Sequence, residues 1–209
     1  MIAVIDYGMG NLHSVSKALE RMNHPCVITS DPEVIRQSEG MILPGVGAFG
    51  DAMRELETRG LVSLIKDEAL NGKPLLGICL GMQLLFTSSD EYGYHQGLNL
   101  LPGHVIRFEG DYNIPHMGWN WLTFKHPHPL FRGLSEGHVY FVHSFHVQAA
   151  NDEDVIATTD YYQTVTAIVA RGSIAGMQFH PEKSGELGLQ LLDRFARMTQ
   201  ERKKVTVRG

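Results

Sequence analysis

Cys79 stands in a glycine frame, Gly77-Ile78-Cys79-Leu80-Gly81, followed by Met82-Gln83. The apolar run Pro74-Leu75-Leu76-Gly77-Ile78 leads into it, and the segment Leu80 to Phe86 leads away. This pattern predicts strand, sharp turn and helix, with the thiol at the apex. A nucleophile on such a turn is exposed above a sheet, with a helix N-terminus beneath it. Flanking glycines leave room where strand and helix cross closely. The positive helix end favours thiolate, which matters because an ordinary cysteine, with pKa about 8.5, is only a few per cent ionised at pH 7. Two bland alternatives are a buried small hydrophobe and a reactive-cysteine sensor that needs no partner base.

A cysteine nucleophile requires a base, and the base an orienting group. His180-Pro181-Glu182 offers both. In extended chain, residues i and i+2 point to one side, so imidazole and carboxylate share a face. Pro181 fixes its own backbone and ends the strand. Open α/β sheets collect ligands beyond the carboxyl ends of their strands, where Cys79 is also expected. Acyl transfer further calls for donors aimed at an oxyanion. The N–H of Leu80, just after the nucleophile, is one. The turn Pro44-Gly45-Val46-Gly47 is the other source, because glycine peptides at Gly45, Val46 and Gly47 can point into a site or flip.

The elements that must position these groups alternate through the first half. Residues 2–6 read as strand, and 11–22 as helix with Asn11 as N-cap. Val27 to Thr29 and Gly40 to Pro44 read as strands, and helices follow near 49–59 and 61–71. Alternation of this kind implies a parallel sheet with helices on both faces. Short β-rich runs follow at His104–Phe108, Trp119–Phe124, His138–Val142, Asp154–Thr158, Thr164–Ala170 and Ile174–Phe179, predicting antiparallel or mixed pairing. A helix over about 185–199 closes the chain. Trp119 and Trp121 alternate in a predicted strand and read as packing residues.

The chain has 209 residues, enough for one domain, 1–209, with a real core. Its net charge of −5 argues against nucleic acid as the main ligand, and no apolar run approaches the ~20 residues that span a bilayer. The basic cluster Arg202-Lys203-Lys204 with Arg208 reads as a solvated end. Met1-Ile2-Ala3-Val4-Ile5-Asp6 has no basic lead or cleavage site, so a secretory signal is not expected. Cys26 and Cys79 share no metal-type spacing, which fits a reducing cytoplasm. Gly8-Met9-Gly10-Asn11 resembles a dinucleotide loop, but His13 occupies the third glycine's place. His126, His128, His143 and His146 lack neighbours at ligand spacing, so no metal and no cofactor is expected.

Together these residues resemble the triad, or class I, glutamine amidotransferases. Within them, Pro44–Gly47, Gly77–Gln83, Pro115-His116-Met117-Gly118-Trp119-Asn120, Gln178–Ser184 and Asp6–Asn11 closely match the glutaminase subunits of imidazole glycerol phosphate synthase, over nearly the whole chain. The resemblance implies a flavodoxin-like, mostly parallel α/β sheet with helices on both faces and a β-rich second half. It implies that Cys79 attacks the glutamine amide, that His180 relays the proton, and that a glutamyl thioester is hydrolysed. Gln83 and Glu91 match positions that help hold the glutamine. The implied partner is a (β/α)₈-barrel cyclase in a heterodimer, with Asn11, Tyr140 and Lys183 at or near the interface. Ammonia passed to it serves histidine synthesis. The resemblance also implies weak activity alone, for which a misaligned Gly45–Gly47 oxyanion turn is a physical route. A related amidotransferase feeding a different synthase stays open on sequence alone.

Overall fold

The structure is a computed structural model that describes residues 1–206, with side chains through Glu201. The side chains of the basic cluster Arg202, Lys203, Lys204 and Arg208 lie outside the described residues. The first half runs β1 (Ile2–Ile5), α1 (Leu12–Arg21), β2 (Cys26–Thr29), α2 (Pro32–Gln37), β3 (Gly40–Gly45), α3 (Phe49–Thr58), α4 (Leu61–Leu70), β4 (Leu75–Cys79) and α5 (Leu80–Leu84). The second half runs β5 (Phe86–Ser89), β6 (His95–Gln96), β7 (Leu101–Arg107), β8 (His116–Phe124), β9 (Gly137–His143), β10 (Phe145–Ala149), β11 (Val155–Asp160), β12 (Thr164–Arg171), β13 (Ile174–Met177) and α6 (Gly185–Thr206).

A nine-stranded sheet has the order β2-β1-β3-β4-β13-β12-β11-β8-β9. Its first five strands are parallel, in the flavodoxin-like order with β13 as the fifth. The remaining pairings are antiparallel, so the predominance of parallel strands expected from the resemblance holds for this half alone. β10, β7, β5 and β6 form a second, smaller sheet.

Alternation along the strands divides the core into two layers. Ile2 and Val4 of β1, Ile42 of β3 and Leu76 of β4 face Val15 and Leu19 of α1 and Leu191, Leu192 and Phe195 of α6. Ala3, Ile5, Met41 and Leu43 face Phe49, Leu56, Leu61 and Ile65 of α3 and α4, with Phe86 and Val105 of the small sheet. Strands buried on both faces read as continuous apolar runs, which is why β1, β3 and β4 are plain in the sequence.

Three expectations need correction. Asn11 precedes α1 but makes no side-chain cap, since its backbone (ψ 56°) is not in the extended conformation of a cap; its Nδ2 donates to Glu182 instead. The Leu80–Phe86 segment is not one amphipathic helix. α5 ends at Leu84 with all five residues buried, and Phe86 already begins β5. Trp119 and Trp121 are 54% and 48% exposed, because Met117, Trp119 and Trp121 line a face of β8 left largely uncovered. Finally, α2, β5, β6 and β10 were not anticipated. For α2 a signal was present, since Asp31 caps Glu33 N–H and Pro32 follows at the first helical position.

The α6 layer is tested by Phe195→Ala, which empties a site 1% exposed. The expected cost is about 3–5 kcal/mol. Calorimetry should show a melting temperature lower by roughly 6–20 °C.

Candidate active site

β4 and β13 are parallel neighbours in register, Ile78 opposite Met177. Their carboxyl ends therefore deliver Cys79 and the 178–180 run side by side. Cys79 takes φ 55° and ψ −113°, a conformation that non-glycine residues rarely adopt. Ile78 and Cys79 both pack into the α1/α6 layer, a break in strand alternation produced by this turn. The glycines make the turn possible. A Cβ on Gly77 would meet the Gly81 carbonyl oxygen at 2.5 Å, and one on Gly81 would fall on the Leu43 carbonyl oxygen. β3, β4 and α5 approach too closely there for any side chain.

His180 is 2% exposed, and its Nδ1 lies 2.9 Å from Glu182 Oε1. The pair forms across a 3₁₀ turn, Pro181–Lys183, rather than along the extended strand expected from i, i+2 spacing. Glu182 Oε1 also accepts from Asn11 Nδ2 at 3.2 Å. The second oxygen, Oε2, is buried without a partner among the described residues. Burial opposes a charged imidazole, but hydrogen bonds to Cys79 and Glu182 and the charges of both outweigh it. The His180 imidazole is raised to about 9. The positive partner of the sulfur is thus His180 more than the five-residue α5, which is too short for a full helix dipole.

A pocket of about 390 Å³ opens on these groups, lined by Val46, Gly47, Leu80, Gln83 and Glu91 together with Cys79 and His180. Gly45 is buried at the end of β3, while Val46 is 43% exposed and Gly47 has φ +97°. Tyr7 donates its hydroxyl to the Pro44 carbonyl at 2.8 Å and holds this turn from below. Burial, then the charge on Cys79, push its phenol well above the usual range. Glu91 Oε2 accepts the Phe49 N–H at 2.7 Å, at the start of α3. Burial raises the Glu91 carboxyl, against the lowering effect of that N–H and of His95. Gln83 donates Nε2 to the Phe145 carbonyl and to Gln178 Oε1, each at 3.0 Å. Both its amide protons are used, so it presents only an acceptor, Oε1, to a ligand.

Asn11, Tyr140 and Lys183 lie around one turn. The Tyr140 N–H donates to Ser184 Oγ, Ser184 Oγ donates to the His180 carbonyl, and the Lys183 N–H reaches the same carbonyl. Lys183 is exposed, and Tyr140 meets the half-exposed Trp119 with ring centroids 6.0 Å apart. The wall formed by Val142, His143, Ser144 and Phe145 was missed in the sequence, because no spacing rule ties the β9–β10 corner to the elbow. That corner also borders a neighbouring cavity of about 690 Å³, which shares Ser144 and Phe145 with the pocket. Among the described residues no group of three or more His, Cys, Asp or Glu could hold a metal, and no helix is long and apolar enough to cross a membrane.

An elbow cysteine, a paired histidine and carboxylate, and a small pocket with two acceptors place the molecule in a recognisable class. The chain belongs to the class-I glutamine amidotransferase family, whose model matches residues 3–198. Within that class the similarity runs to one subunit type. The chain is 54% identical to imidazole glycerol phosphate synthase subunit HisH of Halalkalibacterium halodurans, covering 100% of both chains. It is also 54% identical to HisH of Geobacillus kaustophilus, over 93% of this chain and 95% of that one. A solved glutamine amidotransferase superposes with a TM-score of 0.76 at 18% identity, covering 96% of this chain and 100% of the other, which shows the shared fold.

The His180 charge is testable by pH. If this imidazole is the acid that releases ammonia, kcat should fall as pH rises through about 9. Glu182→Gln weakens one of the two partners that raise it, and the falling limb should move to lower pH. An unmoved limb would refute the coupling.

Proposed function

We propose that this chain is the glutaminase subunit of an imidazole glycerol phosphate synthase, hydrolysing glutamine and supplying ammonia to a (β/α)₈-barrel cyclase. The observation that carries the reading is the Cys79–His180–Glu182 line at the mouth of a pocket large enough for one glutamine. His180 takes the Cys79 proton, and the thiolate attacks the side-chain amide carbon. The tetrahedral oxyanion is met by the Leu80 N–H and by peptide N–H groups of the Gly45-Val46-Gly47 turn. His180 then gives its proton to departing ammonia, leaving a glutamyl thioester. Water, activated by the neutral imidazole, releases glutamate and restores the thiol. No cofactor is needed, since thiol, imidazole and carboxylate balance every proton.

Glu91 and the acceptor oxygen of Gln83 suit the α-ammonium end of glutamine, two acceptors facing one cation. The Asn11–Tyr140–Lys183 turn is the side on which the cyclase docks. Docking there acts on the triad through the Asn11–Glu182 hydrogen bond and the Ser184 link to the His180 carbonyl. The free thiols of Cys26 and Cys79 support a reducing, cytoplasmic setting. Residues 1–209 act as one class-I amidotransferase domain.

Glutamate release from glutamine is the direct test, with the chain alone and with a barrel cyclase plus its nucleotide ligand. Activity should require Cys79, with Cys79→Ala down by about 10³-fold or more, and should rise when the liganded cyclase is added. Full activity without the cyclase would reject the coupling, and activity in Cys79→Ala would reject the mechanism. Glu91 gives a second readout. Its carboxylate form binds the ammonium, and its carboxyl is raised, so KM for glutamine should increase as pH falls toward the upper carboxylate range. Glu91→Gln should remove that pH dependence.

A further inference from the structure

Gln178 is fully buried, two residues before His180, and no step described so far uses it. Its side-chain Nε2 lies 3.9 Å from Cys79 Sγ. The direction of this contact is fixed by a chain of amides that begins at a backbone carbonyl. The Phe145 carbonyl can only accept, so Gln83 must turn its nitrogen toward it, at 3.0 Å. The second proton of the same nitrogen reaches Gln178 Oε1, also at 3.0 Å. Gln178 must then show its oxygen to Gln83 and its N–H to the sulfur. His143 Nδ1 donates to the same Phe145 carbonyl at 2.7 Å and is held from behind by His116 at 2.9 Å. Both lone pairs of that carbonyl are taken, which locks the starting point of the chain.

We propose that Gln178 is a further catalytic residue of the glutaminase, donating its Nε2–H to the Cys79 sulfur whenever the sulfur carries negative charge, with Gln83 as its positioning residue. The proposal rests on the reading of Cys79 as the nucleophile. The sulfur is charged twice in each turnover: as thiolate before attack, and again when water expels it from the thioester. His180 serves both moments but also has to move a proton to ammonia and from water. A carboxamide neither gains nor loses a proton, so it acts as a fixed dipole throughout the cycle. Burial strengthens such a dipole, since little water competes for the sulfur. The spacing is near the outer limit for a sulfur acceptor, as expected of a resting site that tightens on charging.

The titratable groups around the sulfur are His180, backed by Glu182, with Tyr7 below and His143 on the pocket wall. Tyr7 and His143 are both held uncharged by burial, His143 being lowered to about 3. The sulfur's remaining polar neighbour, the Val142 carbonyl at 4.0 Å, only accepts, so His180 and Gln178 are the side chains that can stabilise the charge.

The test is the rate of iodoacetamide alkylation of Cys79 in the full chain as a function of pH, read by peptide mass so that Cys26 does not contribute. Gln178→Leu and Gln178→Met should move the alkylation midpoint up by about one pH unit, a tenfold loss of thiolate below it. Gln178→Glu should move it at least as far, because a carboxylate then faces the sulfur. Gln83→Leu keeps Gln178 but frees its amide, and should shift the midpoint in the same direction by less. Circular dichroism melts identify which variants are folded. An unchanged midpoint in folded Gln178→Leu or Gln178→Met overturns the proposal; should neither fold, an unchanged midpoint in Gln83→Leu does so. Glutamate release retained in Cys79→Ala would instead overturn the nucleophile reading itself, so the two failures are distinct.

Discussion

The register of β4 against β13 is the constraint on which the active site depends. These strands are parallel and adjacent, with Ile78 opposite Met177. A slip of one residue would turn Cys79 and His180 to opposite sides of the sheet, because side chains alternate with a period of two. Register is held by burial on both faces: Leu76, Ala175 and Met177 belong to one layer, Leu75 and Ile174 to the other. Residues 75 and 174 are paired, as are 76 and 175, so each layer checks the alignment independently. The site is thereby aligned by a well-packed part of the molecule, although Cys79 and His180 lie past the last β4–β13 pair.

Beyond that point the chain departs from regular structure, and the departures are what create the site. Cys79 is forced to positive φ, a cost on the order of 1–3 kcal/mol. Crowding of β3 against α5 holds it there, since Gly81 touches the Leu43 carbonyl and Gly45 lies against Gly81 and Tyr7. On the other strand, Pro181 starts a 3₁₀ turn that folds Glu182 back onto His180. Ser184 clamps the base of that turn by bonding the His180 carbonyl and the Tyr140 N–H together. One half of the triad is thus set by a tight crossing, the other by a short turn with its own hydrogen bonds.

The sequence was legible where chemistry and burial coincide. The glycine frame of Cys79, the His180–Glu182 pair and the apolar runs of β1, β3 and β4 each carry a local signature. What was not legible depends on a second element. Asn11 has the form of an N-cap, but its backbone does not take a cap's extended conformation, and its amide nitrogen donates to a carboxylate 171 residues away. Trp119 and Trp121 have the alternation of packed residues, and nothing in their own strand tells that its outer face lacks a covering helix. Phe145 begins β10 and walls the pocket only because β9 and β10 turn a corner over the elbow. Gln178 was within reach, since it stands two residues before His180, just past the end of β13.

The same dependence explains why so many polar groups sit in so dry a place. Gln83, Gln178, His116, His143 and His180 are all at most 6% exposed, and each unpaired polar atom there would cost about 1–3 kcal/mol. They persist because each satisfies the next, from the Phe145 carbonyl through two amides to the sulfur, and from His180 to Glu182. In such a network no member can rotate alone without leaving a neighbour unpaired, so orientation is enforced collectively. Glu182 Oε2 is the exception, a buried acceptor with no partner among the described residues. It lies on the carboxylate that Asn11 already holds. The Glu182 carboxylate is thereby tied by one oxygen only, to His180 and to Asn11. The sulfur side is thus held by several linked amides, whereas the Glu182 carboxylate is held through one oxygen.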